Sequence, residues 1–393
     1  MARWRSESYV SSGCSRPEQR LRRTFLRSSR ALGAAAALWT ACALVSGCGR
    51  GPHKKLIEFG WDEPDTAYLR RQIGRMEQMP FDGCVFHVML KPGEGPDVNL
   101  AWRFWGRSAF TLSDARQARE DLWKTPRRRL HHNFLRLNVT PGDVDWYDDF
   151  SAILANTRLA AALAREGGCA GILLDTEPYE TPLFDYRGRP RRAHRSWDEY
   201  AAQARRRGRE VMHAVEQAFP EATLLLTFGY ELPWLESNQG VQPLAECRSG
   251  LLAPFLDGLL DGRRRAHIVD GYEPTYGVRD ATQFAATYAE MRQRVLPAIC
   301  ARTTGSRALS LGFGLWLDND WRRNGWSSAS PAQNYFTPEG FELSLAAALR
   351  QSDEYVWVYS ETPRWWSANE GPRDLPTAYI EAVQRARRTA GLD

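Results

Sequence analysis

Residues 167–180 read GGCAGILLDTEPYE, an apolar run that ends in acidic side chains. The Ile-Leu-Leu run at 172–174 has no polar alternation, which is typical of a parallel strand buried on both faces. Side chains alternate along a strand, so Asp175 and Glu177 are expected to point the same way. Pro178 ends the strand because it cannot donate to a ladder. The run predicts a buried strand with two carboxylates at its C-terminal end, where α/β folds place their chemistry.

Eight such apolar runs alternate with amphipathic segments. The predicted strands are 56–60, 83–88, 134–139, 171–175, 223–228, 267–271, 308–315 and 355–359. The predicted helices are 65–79, 113–125, 149–166, 197–219, 244–260, 281–299, 338–351 and 378–389. Eight strands each followed by a helix predict an α/β fold, a single-domain (β/α)8 TIM barrel with elaborated strand-to-helix loops. A doubly wound open sheet is the alternative, and it needs fewer strands or a second domain.

The N-terminal residues have the pattern of a targeting signal. Arg22-Arg23 with the apolar segment 31–45 is a twin-arginine pattern, and the sequence Val-Ser-Gly-Cys that ends at Cys48 resembles a bacterial lipobox. We therefore expect a signal peptide over 1–47, a short tether over 48–55 and the catalytic barrel over 56–393. The prediction is an exported, membrane-anchored bacterial lipoprotein carrying its lipid on Cys48. An uncleaved signal anchor is the alternative.

The net charge of the chain becomes slightly negative when the predicted signal peptide is left out. Residues 1–47 hold eight arginines and two glutamates, +6, and the whole chain carries +5, which leaves the remainder near −1. No dominant basic stripe remains, so the sequence predicts no nucleic-acid partner. We find no glycine-rich phosphate loop and no zinc-type histidine spacing, and we predict neither a cofactor nor a metal.

In a barrel, the C-terminal strand ends converge on one cavity, and here those ends are acidic and aromatic together. Pyranose rings pack their C–H faces on aromatic rings, while their hydroxyls need carboxylate and imidazole partners. We predict glycoside hydrolysis of a poly- or oligosaccharide by the carboxyls of Asp175, Glu177, Glu273 and Glu361. The predicted substrate-binding residues are Trp61, Asp62, His87, Tyr179, Tyr230, Tyr272, Trp316, Asp318, Trp357 and Tyr359. The long loops 90–108, with Trp102 and Trp105, and 180–195 are expected to shape access.

The segment 171–177, GILLDTE, resembles the fourth-strand motif Asp-Gly-x-Asp-x-Asp-x-Glu of family 18 chitinase-like barrels. Ala170 and Leu173 stand where that family has its first two aspartates, so the resemblance is to glycoside-hydrolase-type barrels in general. It implies that Glu177 is the general acid and that Asp175 steadies a substrate N-acetyl group acting as nucleophile.

The same family has a tyrosine near the end of strand six and a tryptophan on strand eight, for which Tyr272 and Trp357 are loose counterparts. A second arrangement within the fold pairs Glu177 with Glu273, and Glu361 or Asp318 is a further possible partner. The retaining or inverting outcome depends on the carboxyl separation.

Two other classes of function compete with hydrolysis by carboxylates. One is a surface lipoprotein that captures glycan without cleaving it. The other is a metal-assisted hydrolase or lyase that uses His87 with the acids.

Overall fold

The computed structural model describes residues 54–300, 309–367 and 371–392. The predicted signal peptide, Cys48 and most of the tether lie outside these ranges. Within them, no helix has the length and apolar character needed to cross a bilayer.

The described residues form an eight-stranded parallel barrel whose strands follow one another around the sheet in chain order. The strands are Lys55–Gly60, Gly83–Phe86, Phe134–Asn138, Gly171–Asp175, Thr223–Leu226, His267–Asp270, a seventh in two segments Leu309–Leu311 and Phe313–Trp316, and Tyr355–Ser360. Strand eight pairs with strand one, and the two segments of strand seven pair with strands six and eight. The predicted TIM barrel is confirmed.

The helices lie between consecutive strands on the outside of this barrel. Those of nine or more residues are Thr66–Met76, Arg116–Lys124, Ser151–Glu166, Trp197–Ala218, Leu252–Gly262, Ala281–Glu290, Pro338–Gln351 and Thr377–Thr389. Helix Pro338–Gln351 begins as expected, because the Thr337 side chain accepts the backbone N–H of Gly340 and proline occupies the first turn.

Two predicted helices differ from those observed. The segment predicted as 244–260 opens with a 3-10 turn, Leu244–Glu246, and becomes α-helical only over Leu252–Gly262. The segment predicted as 281–299 continues past Ala281–Glu290 as a π-helical turn, Met291–Val295, and a final short helix, Leu296–Ile299. An apolar periodicity locates such segments but does not resolve a change of helix type.

Side-chain alternation sorts each strand into two faces. Inward-facing residues such as Phe59, Phe134, Leu173 and Trp357 fill the barrel interior, and their neighbours pack against the helices. Asp175 and Glu177 follow Leu173 at intervals of two residues. Their side chains therefore lie on the same side as Leu173, at the opening formed by the C-terminal ends of the strands, which we call the mouth of the barrel.

Strand four begins at a glycine that allows close approach of its neighbour. A Cβ atom on Gly171 would lie 1.8 Å from the backbone oxygen of Thr223 on strand five. A side chain is therefore excluded where the strand that carries the acids starts.

Candidate active site

Asp175 lies at the centre of the barrel mouth and accepts four hydrogen bonds. Its Oδ2 atom accepts from the Arg136 guanidinium at 2.8 Å and the Tyr179 hydroxyl at 2.9 Å. Its Oδ1 atom accepts from the Thr227 hydroxyl at 3.2 Å and the backbone N–H of Glu177 at 3.1 Å. The side chain is only 1 % exposed. This carboxylate organises its neighbours rather than meeting a ligand.

Arg136 points into the barrel from strand three and joins two acids. One arm of the guanidinium donates to Asp175, and the other donates to Glu63 at 2.8 Å. Burial acts to lower its pKa, but the charges of Glu63 and Asp175 outweigh burial and raise it. The guanidinium also lies over the rings of Phe59, at 5.1 Å, and Trp102, at 5.4 Å.

Glu63 extends this network to the rim of the mouth. Its second oxygen lies 3.5 Å from Nδ1 of His87, which places that predicted substrate-binding residue beside the arginine-linked acids. Burial acts to raise the pKa of Glu63, but Arg136 and His87 outweigh it and lower the pKa. Glu63 is therefore held as a carboxylate.

Glu177 has different surroundings from these engaged acids. Its side chain is reached by solvent, but the walls of the mouth surround it. This partial withdrawal from bulk water, followed by the charge of Asp175, raises the pKa of Glu177 to about 7, although Tyr179 and Arg136 oppose the shift. Near neutral pH the carboxyl is populated in both forms, as a proton donor requires.

Glu273 stands on the 3-10 turn Glu273–Thr275 that follows strand six. Burial raises its pKa well above the ordinary value, and the charges of Glu177 and Asp175 add to the effect, with Arg136 opposing them. The carboxyls that follow strands four and six are therefore close enough for the charge of one to raise the pKa of another. Two neighbouring carboxyls that resist simultaneous ionisation suit an acid paired with a base or nucleophile.

An aromatic wall stands beside these acids. The ring of Tyr276 stacks on Tyr359, with centroids 5.4 Å apart and planes 16° apart, and Trp316 meets both rings edge-on. Trp357 lies beneath the wall, 1 % exposed, with its indole N–H donated to the carbonyl of Gly271. Trp357 is therefore buried one layer below the wall, and its contact with a substrate stays a prediction.

Glu361 and Asp318 are held by structural hydrogen bonds. Glu361 accepts from the Trp321 indole at 2.7 Å and from Arg322 at 2.6 Å. Asp318 accepts from the Trp316 indole and from the backbone N–H groups of Glu361 and Thr362, and is 2 % exposed. Asp318 secures the turns after strands seven and eight, and its role in substrate binding stays a prediction.

The turn after strand one separates two predicted residues. Trp61 is 55 % exposed, with the guanidinium groups of Arg322 and Arg364 within 6 Å of its ring. Asp62 turns inward and accepts the backbone N–H groups of Trp365 and Trp366, at 2.7 and 3.3 Å. Asp62 therefore ties two loops together through its Oδ2 atom, while its Oδ1 atom is buried without a hydrogen-bond partner, and its role in binding stays a prediction.

Three other predicted aromatic residues lie away from the mouth. The hydroxyl of Tyr230 donates to Asp257 in the layer between sheet and helices. Tyr272 has a left-handed backbone, φ 45°, and its ring packs outward against Phe313. Trp105 is fully buried. The strand ends were located correctly, but the direction of each side chain within the loops was not.

Sequence reasoning missed Arg136 and Tyr276. Arg136 is flanked by Leu135 and Leu137 in strand Phe134–Asn138, and the single charged side chain of this strand was the available signal. Tyr276 follows Tyr272 by four residues, and only the turn geometry decides which tyrosine enters the mouth. Trp102 remains a wall residue, packed at 5.1 Å on Tyr179.

The described ranges contain no group of three or more histidine, cysteine, aspartate or glutamate side chains arranged to hold a metal ion.

No protein-family model matches this chain, and no curated protein is similar to it in sequence. Solved structures with a similar chain path include a GH18 chitinase from Pseudoalteromonas aurantia, at 8 % identity and a TM-score of 0.42, covering 85 % of this chain and 100 % of that one. A GH5_18 structure from Streptomyces cattleya in complex with GlcNAc gives 13 % identity and a TM-score of 0.43, covering 86 % and 81 %. Several of the matched structures are glycoside hydrolase TIM barrels.

Triosephosphate isomerase from Bartonella henselae is also similar, at 12 % identity and a TM-score of 0.36, covering 84 % of this chain and 99 % of that one. The similarity concerns the fold, and any function has to be argued from the residues at the mouth.

Proposed function

We propose that this protein is a glycoside hydrolase that cleaves a poly- or oligosaccharide by carboxylate acid/base catalysis. The observation that carries the proposal is the meeting of Asp175, Glu177 and Glu273 at the C-terminal end of the barrel, with the pKa of Glu177 raised to about 7. Glycosidic cleavage needs a protonated carboxyl at the leaving oxygen and a second group at the anomeric carbon.

In this proposal Glu177 is the general acid. It is reached by solvent, and its raised pKa keeps a proton available near neutral pH. When the glycosidic bond breaks, that proton goes to the leaving oxygen, and Glu177 is left as a carboxylate near the Tyr179 hydroxyl and Arg136. Both neighbours favour the ionised form and so assist the transfer.

Glu273 is the partner that we assign to the anomeric carbon, as nucleophile or as base for a water molecule. This role needs its ionised form, and a proton on Glu177 favours that form because it removes one of the two negative charges that raise the pKa of Glu273. We favour it over Asp175 because both oxygens of Asp175 already accept hydrogen bonds and its side chain is buried. Glu361 is less suited because it is bound by Trp321 and Arg322. Asp175 acts as a positioning residue, since its charge raises the pKa of Glu177.

The aromatic rings suit the sugar part of the substrate. Trp316, Tyr276 and Tyr359 form one wall, and Trp102 on Tyr179 forms another. Pyranose C–H faces pack on such rings, while the acids between them receive the hydroxyl groups. We assign the space between the two walls to the sugar units flanking the scissile bond.

We also propose that the enzyme works outside the cytoplasm on a lipid anchor. The support is the Arg22-Arg23 pattern followed by an apolar segment and Cys48. Expression of the full chain in a bacterium, with radiolabelled palmitate, tests this. Label in the membrane fraction that disappears in Cys48→Ala supports the anchor, and unlabelled protein in the cytosol refutes it.

The activity is tested on a panel of polysaccharides and aryl glycosides, with released reducing ends and retained binding measured separately. Wild type should release sugar from a polysaccharide, and Glu177→Gln should bind the same polysaccharide but release sugar about 10²–10⁴-fold more slowly. Glu381→Gln, on the last helix outside the barrel, is the matched control and should behave as wild type. Equal binding by all three proteins without release would instead indicate a glycan-capture protein. Release that survives Glu177→Gln but stops with a chelator would indicate metal-assisted chemistry.

A further inference from the structure

A cavity of about 450 Å³ opens between the turn after strand one and the segment after strand eight. The cavity adjoins the catalytic acids proposed above. Glu63 lines the cavity and also binds Arg136, and Arg136 in turn binds Asp175. Its other walls include the exposed ring of Trp61 and the side chains of Tyr68, Arg71, His87, Arg364 and Arg373. A sugar residue bound in this cavity would be a neighbour of the sugar units that we assign to Glu177 and Glu273.

The arginines of this cavity are available for a ligand. Within residues 54–300, 309–367 and 371–392, neither Arg71 nor Arg364 forms a hydrogen bond or ion pair through its side chain with an acid, and Nη1 of Arg364 is buried without a partner. Arg373 has a contact of 3.6 Å to Asp374, with both side chains more than half exposed. Such a contact contributes little.

The acids of the same cavity are engaged in part, since Asp62 Oδ1 and Glu63 Oε1 are buried without a hydrogen-bond partner. Glu63 binds Arg136 and lies beside His87. Asp62 accepts two backbone N–H groups, and Asp65 caps helix Thr66–Met76 by accepting the backbone N–H of Tyr68 at 2.6 Å. The charged donors that line the cavity are the guanidinium groups of Arg71, Arg364 and Arg373, beside the exposed ring of Trp61.

We propose that this cavity binds a sugar residue that bears a carboxylate, so that the substrate is an acidic, uronate-containing glycan. The inference rests on the proposed function, and it names the substrate class of the same site. A guanidinium fork matches the two oxygens of a carboxylate, and Arg364, which lines the cavity and forms no ion pair with an acid among the described residues, gains an anionic partner when one binds. Trp61 offers its exposed indole to the sugar ring.

The test measures binding, with Glu177→Gln as the parent protein so that turnover does not interfere. Oligosaccharides of galacturonan, mannuronan and glucuronan are titrated beside their carboxyl-reduced forms and beside sulfated neutral oligosaccharides. At least one uronate oligosaccharide should bind, and its reduced form should bind about tenfold more weakly or worse. Arg71→Gln and Arg364→Gln should each show a similar loss, whereas Arg350→Gln, an exposed arginine on helix Pro338–Gln351, should not.

Arg71 is exposed on helix Thr66–Met76, so its variant reports on binding even if Arg364→Gln folds poorly. Equal binding of acidic and reduced sugars overturns the proposal, as does binding of sulfated but not carboxylated sugars, or equal effects of all three arginine variants. The two proposals fail separately. Arginine-dependent uronate binding without any cleavage by wild type refutes hydrolysis alone, and cleavage of neutral glycans unaffected by the arginine variants refutes the acidic subsite alone.

Discussion

The backbone N–H of Glu177 donates to the Oδ1 atom of Asp175 across 3.1 Å, so the candidate acid is fixed to the buried carboxylate below it. The other oxygen of Asp175 is held by Arg136 and Tyr179. A change at any of these neighbours alters the proton affinity of Glu177 while the glutamate itself stays in place. The site is therefore open to test by its pH dependence.

The proton on Glu177 should set the alkaline limit of activity. Because its pKa is raised to about 7, cleavage should fall as pH rises through that value and the acid ionises. In Asp175→Asn the nearby negative charge is lost, so the pKa of Glu177 falls and the limit moves to lower pH. Tyr179→Phe removes a hydroxyl group that favours the ionised form of Glu177, so the limit moves to higher pH. The profile of kcat/KM against pH measures all three.

These two variants control for each other, since general damage to the site lowers the rate but does not move the two limits in opposite directions. Shifts of the same sign, or an unchanged limit in both, contradict the assignment of the limit to Glu177.

Removal of Arg136 should be costly for stability. Arg136→Met leaves Glu63 and Asp175 as buried carboxylates without their shared cation, and the expected loss is about 3–5 kcal/mol in the free energy of unfolding. Urea denaturation at pH 7 measures it. Arg119→Met, which removes an exposed ion-pair partner of Glu166, is the matched control and should change little. Similar losses in both variants would mean that the buried network does not hold the mouth together.

Gly171 should tolerate no side chain. Gly171→Ala forces strands four and five apart, because the added Cβ would lie 1.8 Å from a backbone oxygen of Thr223 that cannot rotate away, and the expected loss is about 1–3 kcal/mol. Gly74→Ala, in the interior of helix Thr66–Met76 with open space around it, should stabilise by about 0.5–1 kcal/mol. Thermal denaturation of both variants tests the pair, and a harmless Gly171→Ala would show that the strands do not approach so closely.

The barrel was predictable because buried parallel strands are marked by apolar runs and the helices between them by their periodicity. The break of strand seven at Gly312 could not be predicted from the sequence. It arises because the first segment of this strand pairs with strand six and the second segment pairs with strand eight. Asp175 and Glu177 were found because period two carries them from an inward-facing Leu173 to the mouth.

The loop residues were less accessible to sequence reasoning. Tyr272 and Tyr276 both follow strand six, and a left-handed residue at Tyr272 decides that only Tyr276 enters the mouth. The sequence predicts Asp62 and Asp318 as substrate-binding residues. In the structure, each accepts hydrogen bonds from backbone N–H groups of loops that are distant in the sequence. Such pairings depend on tertiary contacts that a local pattern does not contain.

The most direct test of the central claim compares leaving groups in the wild type and Glu177→Gln, using aryl glycosides of whichever sugar the panel identifies. A general acid matters most when the leaving oxygen is basic. We predict a loss of about 10²–10⁴-fold for an alkyl or phenyl leaving group and little loss for dinitrophenolate, which departs without a proton. An equal loss for both leaving groups would contradict the role of Glu177 as the acid.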